Sequence, residues 1–313
     1  MIVTHGTPPR CAARLAITVG NFDGVHLGHR AMLERVVAEA RRRGLGSCAV
    51  TFEPHPREFF APGSAPARLT RLREKLELIA ETGIERVHVL RFDARLAALA
   101  PERFVHELLV ERLGMRWLLV GRDFRYGAKR AGDFAQLEAL APRLGFEVAA
   151  MPDVCDEAAP GSPRVSSSAV REALAAGELE RAARLLGRRY AMSGRVAHGE
   201  KLGRAIGFPT ANIVLRRKPP LAGIYVVEAE LEETHQVLRG VASVGRRPTV
   251  KADAAPLLEV HLFDFAGAIY GRHLRVTFLA KLRDEEKFAG LAALRAAIAQ
   301  DAARAREWFA RHG

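Results

Sequence analysis

Apolar and polar positions follow two different rhythms along this chain, and the rhythm changes near Gly187. In the first half, short apolar runs alternate with segments of helical spacing. LAITVG (15–20), SCAVTF (47–52), RVHVL (86–90), RWLLVG (116–121) and FEVAA (146–150) read as strands. Between them, Met32, Leu33, Val36, Val37 and Ala40 recur with helical period, REKLELIAETG (73–83) ends on a C-cap glycine, and PERFVHELLVERLG (101–114) carries Pro at its start and Gly at its end. A further helix is expected near 133–143. Apolar strands alternating with helices predict an α/β unit built on a doubly wound parallel sheet, covered on both faces.

After a helical pair at 168–175 and 178–186, the second half shortens into SGRVA, GIYVVEAEL, LRGVASVG, LLEVHLFDF and LRVTFLAKL, separated by Gly and Pro turns. Closely spaced strands of this kind predict a small β-barrel. From Asp284 onward one amphipathic helical region is expected to pack on it. The pattern therefore divides the chain into 1–186 and 187–313.

Composition narrows the class. A chain of 313 residues, 49% apolar, is globular and long enough for two cores. MIVTHGTPPR has no apolar signal region, and no run of eighteen apolar residues occurs, so a cytoplasmic protein without a membrane partner is expected. Cys11, Cys48 and Cys155 are far apart and form no CxxC pair, which argues against a disulfide framework or a zinc site. The formal charge of +12 suits an acidic partner, but Lys and Arg are spread along helix faces. With four Tyr, two Trp and no RNP-type run, nucleic acid is not the expected partner; small-molecule substrates are. Oligomeric state is left open, a homo-oligomer included.

The chemistry concentrates where the first strand ends. VGNFDGVHLGH (19–29) places Gly20, Phe22, Asp23, His26, Gly28 and His29 at the carboxyl end of a strand, where open parallel sheets bind ligands. If 26–29 opens a helix, His26 and His29 share a face beside its N-terminus, an arrangement suited to phosphate. Metal ligation and a purely structural role are the alternatives. No GxxxxGK[ST] sequence occurs.

GxFDxxHxGH resembles the signature of the nucleotidyltransferase superfamily, and VSSSAVR (165–171) resembles its ISSTxxR motif, with Ser168 where Thr is usual. TFEPHPREFF (51–60), VGRDFRYGAKRAGD (120–133) and the second half resemble the bacterial bifunctional riboflavin kinase/FMN adenylyltransferases over roughly 14–310. The resemblance implies a Rossmann-like nucleotidyltransferase domain followed by a riboflavin kinase-like barrel. It implies ATP, riboflavin, FMN and FAD as substrates and products, with Mg²⁺. Ser167, Ser168 and Arg171 would hold nucleotide phosphates together with the histidine loop. Pro54, His55, Pro56, Asp123, Phe124 and Tyr126 would line a flavin pocket, Tyr126 standing where Phe is common.

In the second half, HGEKLGRAIGFPTANI (198–213) resembles the kinase's Gly-rich phosphate loop, with Gly199, Gly203 and Gly207 ahead of the metal-binding pair Thr210 and Asn212. Glu259 in LLEVHLFDF corresponds to the catalytic carboxylate, and strand alternation puts it on one face with His261 and Phe263. KLRDEEKF (281–288) resembles a flavin-side loop, offering Arg283, Glu286 and Phe288. The implied reactions are phosphorylation of riboflavin to FMN and adenylylation of FMN to FAD. The rivals are another adenylyl- or cytidylyltransferase with an appended barrel, and a basic RNA-binding protein.

Overall fold

A computed structural model of the chain describes residues 1–8, 13–156, 164–198, 207–215, 217–245 and 256–312. They divide into two compact units, one formed by Met1–Pro66 with Thr70–Ser166, the other by Ala67–Leu69 with Ser167–Gly313.

The first unit is a six-stranded, wholly parallel sheet. Its strands are β1 (Ile2–His5), β2 (Leu15–Val19), β3 (Gly46–Glu53), β4 (Arg86–Arg91), β5 (Met115–Gly121) and β6 (Glu147–Met151), in spatial order β1-β4-β3-β2-β5-β6. The direction of winding reverses between β2 and β5, so the carboxyl end of β2 lies at the topological switch point. Alternate residues of the strands feed two cores. Ile17, Val50, Leu118 and Val120 join Phe104, Leu109 and Leu137 on one face. Ala16, Ala49, Val87 and Leu119 meet Leu33 and Val36 of α1 (Leu27–Arg43) and Ile79 of α3 (Leu72–Ala80) on the other. The five strands predicted between residues 15 and 150 are all present. Strand β1 is an addition: four mostly exposed residues, IVTH, paired in parallel with β4, whose alternation is too short to read. The segment predicted as a plain helix at 101–114 is α5 (Pro101–Arg103) running into a π-helical stretch, Phe104–Arg112. Helices α2 (Pro56–Phe60), α4 (Ala94–Ala97) and α6 (Phe134–Leu144) complete the unit.

The second unit opens with α7 (Ser167–Ala176) and α8 (Leu179–Leu186). A six-stranded antiparallel sheet follows: β7 (Ala191–Arg195), β8 (Ala211–Val214), β9 (Gly223–Leu231), β10 (Gln236–Gly245), β11 (Leu257–Leu262) and β12 (His273–Arg283), in order β7-β12-β9-β10-β11-β8. A bridge between Ala197 and Asn212 brings the two ends together and nearly closes the barrel. Strand β8 was not separable from the Gly-rich motif in sequence. The terminal helix α9 is Leu291–His312, so the expected helix begins later than Asp284. Its apolar side, with Ala302, Ala305 and Phe309, covers Val226, Val241 and Phe263.

Candidate active sites

In the first unit, the chain leaving β2 turns sharply before α1. Phe22 (φ 48°) and Val25 (φ 39°) both take left-handed backbone, which for such residues costs on the order of 1–3 kcal/mol each. Complete burial of both side chains in the α1-side core holds them there. Asp23, also buried, accepts hydrogen bonds from Thr70 N (3.1 Å) and Thr70 Oγ1 (3.3 Å), while Gly24 N donates to Thr70 Oγ1 (3.0 Å). Thr51 Oγ1 donates to Asn21 O (3.2 Å). These bonds tie the loop to neighbouring segments.

The loop presents His26 as the N-cap of α1. Its Nδ1 accepts the His29 N–H at 3.3 Å. His26 and His29 stack with centroids 3.6 Å apart, and Phe22 meets His29 edge-on at 5.2 Å. Gly28 is confined by the His26 ring, 3.3 Å from where a Cβ would sit, and by Val165 O at 3.6 Å, so a side chain there would press on the cap. His29 Nδ1 is buried without a hydrogen-bond partner among the described residues. Its pKa is held well below 6.5, first by burial, then by the charges of His26, Lys75 and Arg164. A stacked imidazole pair at a helix N-terminus, with one ring nitrogen unsatisfied among the described residues, is a site ready for an anionic oxygen.

Lys75 escaped the sequence reading. It is 3% exposed, its Nζ 3.4 Å from Thr51 Oγ1. A signal existed: in α3 it falls in the apolar series Leu72, Leu76, Ile79, where a lysine breaks the pattern.

The segment expected to line a flavin pocket follows β3. His55 N-caps α2: its Nδ1 accepts from Arg57 N (3.1 Å), and Glu58 accepts from His55 N (3.3 Å). Pro54 precedes the cap and Pro56 opens the helix. The same segment displays an aromatic cluster that the motif reading left out. Phe59 and Phe60 meet Phe92 edge-on at 5.6 and 5.7 Å, and Phe60 is 66% exposed. Beyond β5, Asp123 pairs with Arg164 (3.0 Å), which also reaches Asp153 (3.2 Å). Phe124 is half-buried and stacks on Tyr126 at 5.5 Å. Tyr126 is only 5% exposed, donates to Gln136 Oε1 (2.9 Å), and has its pKa pushed up to about 12, chiefly by burial. Gly132 covers its ring so closely that a Cβ there would collide. Tyr126 therefore supports Phe124 from the core, and the accessible aromatic surface expected of Tyr126 belongs to Phe124.

In the second unit, Ser167 and Ser168 begin α7, and Arg171 Nε donates to Ala67 O at 2.6 Å. The barrel brings together three sequence-distant candidates. Glu259 on β11 pairs in register with Asn212 on β8 and with Ser243 on β10. Glu259 and His261 are half-buried while Leu258, Val260 and Leu262 are buried, so the expected alternation holds for the strand itself. Phe263 lies past its end, among the residues under α9. Asn212 is 6% exposed; its Nδ2 donates to Thr210 O (3.2 Å), and its Oδ1 is buried without a partner among the described residues. His261 Nδ1 lies 2.9 Å from Pro209 O, beside Thr210. Gly207 has φ +90°. Gly199 and Gly203 lie outside the described residues.

After β12, Arg283 grips the nearly buried Asp301 of α9, with Nε and Nη2 donating at 2.9 and 2.7 Å. It also pairs with Glu286 (3.1 Å) and lies over the Phe288 ring, 5.6 Å from its centroid. These contacts shape the 284–290 loop, which explains why the helix starts only at Leu291. Among the described residues no cluster of three His, Cys, Asp or Glu is placed to hold a metal, and no helix is long and apolar enough to cross a membrane. Cys48 is buried and Cys155 exposed, and neither forms a disulfide among the described residues.

Comparison with known proteins matches two successive segments of the chain. The FAD synthetase family model covers residues 9–169, and the riboflavin kinase model covers 186–309. A bifunctional riboflavin kinase/FMN adenylyltransferase of Escherichia coli (strain K12) is 50% identical over 294 residues, 94% of this chain and 92% of the relative. Its counterpart in Pseudomonas fluorescens is 48% identical, covering 92% and 91%; that of Haemophilus influenzae (strain ATCC 51907 / DSM 11121 / KW20 / Rd) is 43% identical, covering 94% of each. A solved structure from Streptococcus pneumoniae, titled a macrolide-efflux protein, is 28% identical with a TM-score of 0.77, covering 96% of this chain and 97% of that one.

Proposed function

The chain belongs to the family of bifunctional riboflavin kinase/FMN adenylyltransferases, and on that premise we propose how its residues divide the work. It phosphorylates riboflavin with ATP to FMN, then transfers AMP from ATP to FMN, giving FAD and pyrophosphate. We assign adenylylation to 1–186 and phosphorylation to 187–313, supported by the start of the riboflavin kinase match at 186. A cytoplasmic location, where ATP is at hand, fits both reactions.

In the kinase reaction Glu259 takes the proton of the riboflavin 5′-hydroxyl. The oxygen forms a bond to the γ-phosphorus of ATP as the bond to the β-phosphate oxygen breaks, and ADP leaves. The donors at β8 fit a magnesium ion: Asn212 Oδ1 is a buried oxygen without a partner among the described residues, and Thr210 stands two residues away. Thr210 and Asn212 would hold the ion with the ATP phosphates, where it would offset their charge. Gly199, Gly203 and Gly207 would contribute backbone to the same phosphates.

In adenylylation a phosphate oxygen of FMN attacks the α-phosphorus, and the bond to the departing pyrophosphate breaks. The nucleophile is already anionic, so the protein supplies alignment and hydrogen bonds rather than a base. His26 and His29 are assigned to the nucleotide phosphates; Ser167, Ser168 and Arg171 are assigned to nucleotide phosphates from their motif alone. Phe124, Pro54, His55 and Pro56 are assigned to the flavin, with Asp123 beside them. Arg283, Glu286 and Phe288 are assigned to the flavin side of the kinase reaction.

The observation that carries this reading is the pairing of Glu259 with Asn212, whose side-chain oxygen has no partner among the described residues. Incubation with riboflavin, ATP and Mg²⁺, with products separated by chromatography, tests it. FMN followed by FAD is expected; turnover of ATP without either flavin product would contradict it.

A further inference from the structure

Glu285 stands outside the set of residues assigned above to either reaction. It lies in the loop between β12 and α9, and its carboxylate accepts a hydrogen bond from Ser243 Oγ at 3.3 Å. Ser243 is the register partner of Glu259, and directly opposed residues of an antiparallel pair project from the same face. Gly245, two residues along β10, projects to that face as well. A Cβ on Gly245 would occupy the space of the Glu285 carboxyl group, so the missing side chain there lets the carboxylate lie against the strand beside Ser243. Arg283, locked to Asp301, anchors the loop that delivers it.

Two carboxylates thus sit over neighbouring strands. The pKa of Glu285 is raised, first by partial desolvation, with the Ser243 hydrogen bond opposing, the charge of Glu259 adding to the rise and that of Arg283 opposing it. Strand β11 runs between β10 and β8. A negative charge held over Ser243 and Gly245 on β10 repels the Glu259 carboxylate toward β8, the side on which Asn212 stands.

We propose that Glu285 is a positioning residue of the kinase reaction: through its bond to Ser243 and its charge it aims Glu259 toward the Asn212 side of β11, where the riboflavin hydroxyl would meet ATP. The proposal rests on the reading of Glu259 as the base. It assigns Glu285 no contact with either substrate.

The test uses the full chain and follows FMN formation at varied riboflavin and ATP, with FMN-to-FAD conversion as the check on folding. Glu285→Gln should lower the kcat of FMN formation about 10- to 100-fold, the scale of a misaligned reacting group, with both KM values changed less than about twofold. Glu285→Asp should recover part of the loss. Gly245→Ala, which displaces the carboxylate without removing it, should lower kcat in the same way. Ser243→Ala combined with Glu285→Gln should be little worse than Glu285→Gln alone, because both break one link. Unchanged kcat in Glu285→Gln beside an inactive Glu259→Gln would overturn the proposal and leave Glu259 as the base. A defect confined to the KM for riboflavin would overturn it in favour of a substrate contact. An active Glu259→Gln would remove the reading beneath it.

Discussion

Glu259 on β11 stands directly across from Asn212 on β8, and the Asn212 side-chain oxygen is buried with no partner among the described residues. Leaving a polar atom so placed costs about 1–3 kcal/mol unless something occupies it. A carboxylate beside an unsatisfied oxygen is poor architecture for stability and good architecture for a bound cation and phosphates.

Replacing Asn212 with Ala should therefore weaken the kinase reaction more than the fold. The expected result is a rise in the KM for Mg·ATP and a fall of about 10²-fold or more in kcat/KM for FMN formation. Thermal unfolding should shift by only a few degrees, since removing the unpartnered oxygen offsets the loss of the Nδ2 bond to Thr210 O. Steady-state kinetics beside a melting curve checks both.

His29 makes a prediction about pH. Its folded-state pKa lies well below the ordinary 6.5, first because of burial and then because of His26, Lys75 and Arg164. Between the two values the unfolded chain holds the extra proton, so stability rises with pH across that window and is lost as pH falls below about 6.5. His88 is depressed as well, chiefly by burial, and adds to the same slope. Comparing the wild type with His29→Gln isolates one residue: the melting temperature of the variant should fall less steeply between about pH 7 and 5. Equal slopes would remove His29 from the account.

Arg283 and Asp301 form a nearly buried ion pair that joins the end of β12 to α9. Removing Arg283 alone leaves a carboxylate inside the protein, and such half-broken pairs cost about 3–5 kcal/mol; here the lower end applies, because Arg283 retains some exposure. Arg283→Ala should lower the denaturation midpoint of the barrel unit and reduce FMN formation, since the loop bearing Glu285 and Glu286 loses its anchor. The double variant Arg283→Met with Asp301→Leu should recover most of the stability and little of the activity. Urea unfolding with a kinase assay separates the two effects.

Elements with strong local signals were legible in the sequence: the apolar strands β2 to β5 read directly because a parallel sheet buries both faces of its inner strands, and the half-buried edge strand β6 read from its short apolar run. The four-residue strands β1 and β8 were not, because their pairing depends on partners far along the chain. The two histidines could be placed on one helical turn, but not their stacking or the role of His26 as cap, since these follow from the strained turn at Phe22 and Val25. Tyr126 read as a pocket residue because its motif does; only packing against Phe104, Gln136 and Gly132 shows that it belongs to the core. Glu285 sits in a charged run, DEEK, in which nothing distinguishes one carboxylate from the next until the Ser243 contact selects it.

The central claim is that one chain carries two separable phosphate chemistries, one built on His29 and the other on Glu259. The direct measurement assays riboflavin-to-FMN and FMN-to-FAD conversion separately in Glu259→Gln and His29→Ala. Glu259→Gln should lose FMN formation by roughly 10²–10⁴-fold and still convert FMN to FAD; His29→Ala should lose FAD formation by about 10²–10³-fold and still make FMN. Parallel loss of both reactions in either variant, with its melting curve intact, would contradict the account.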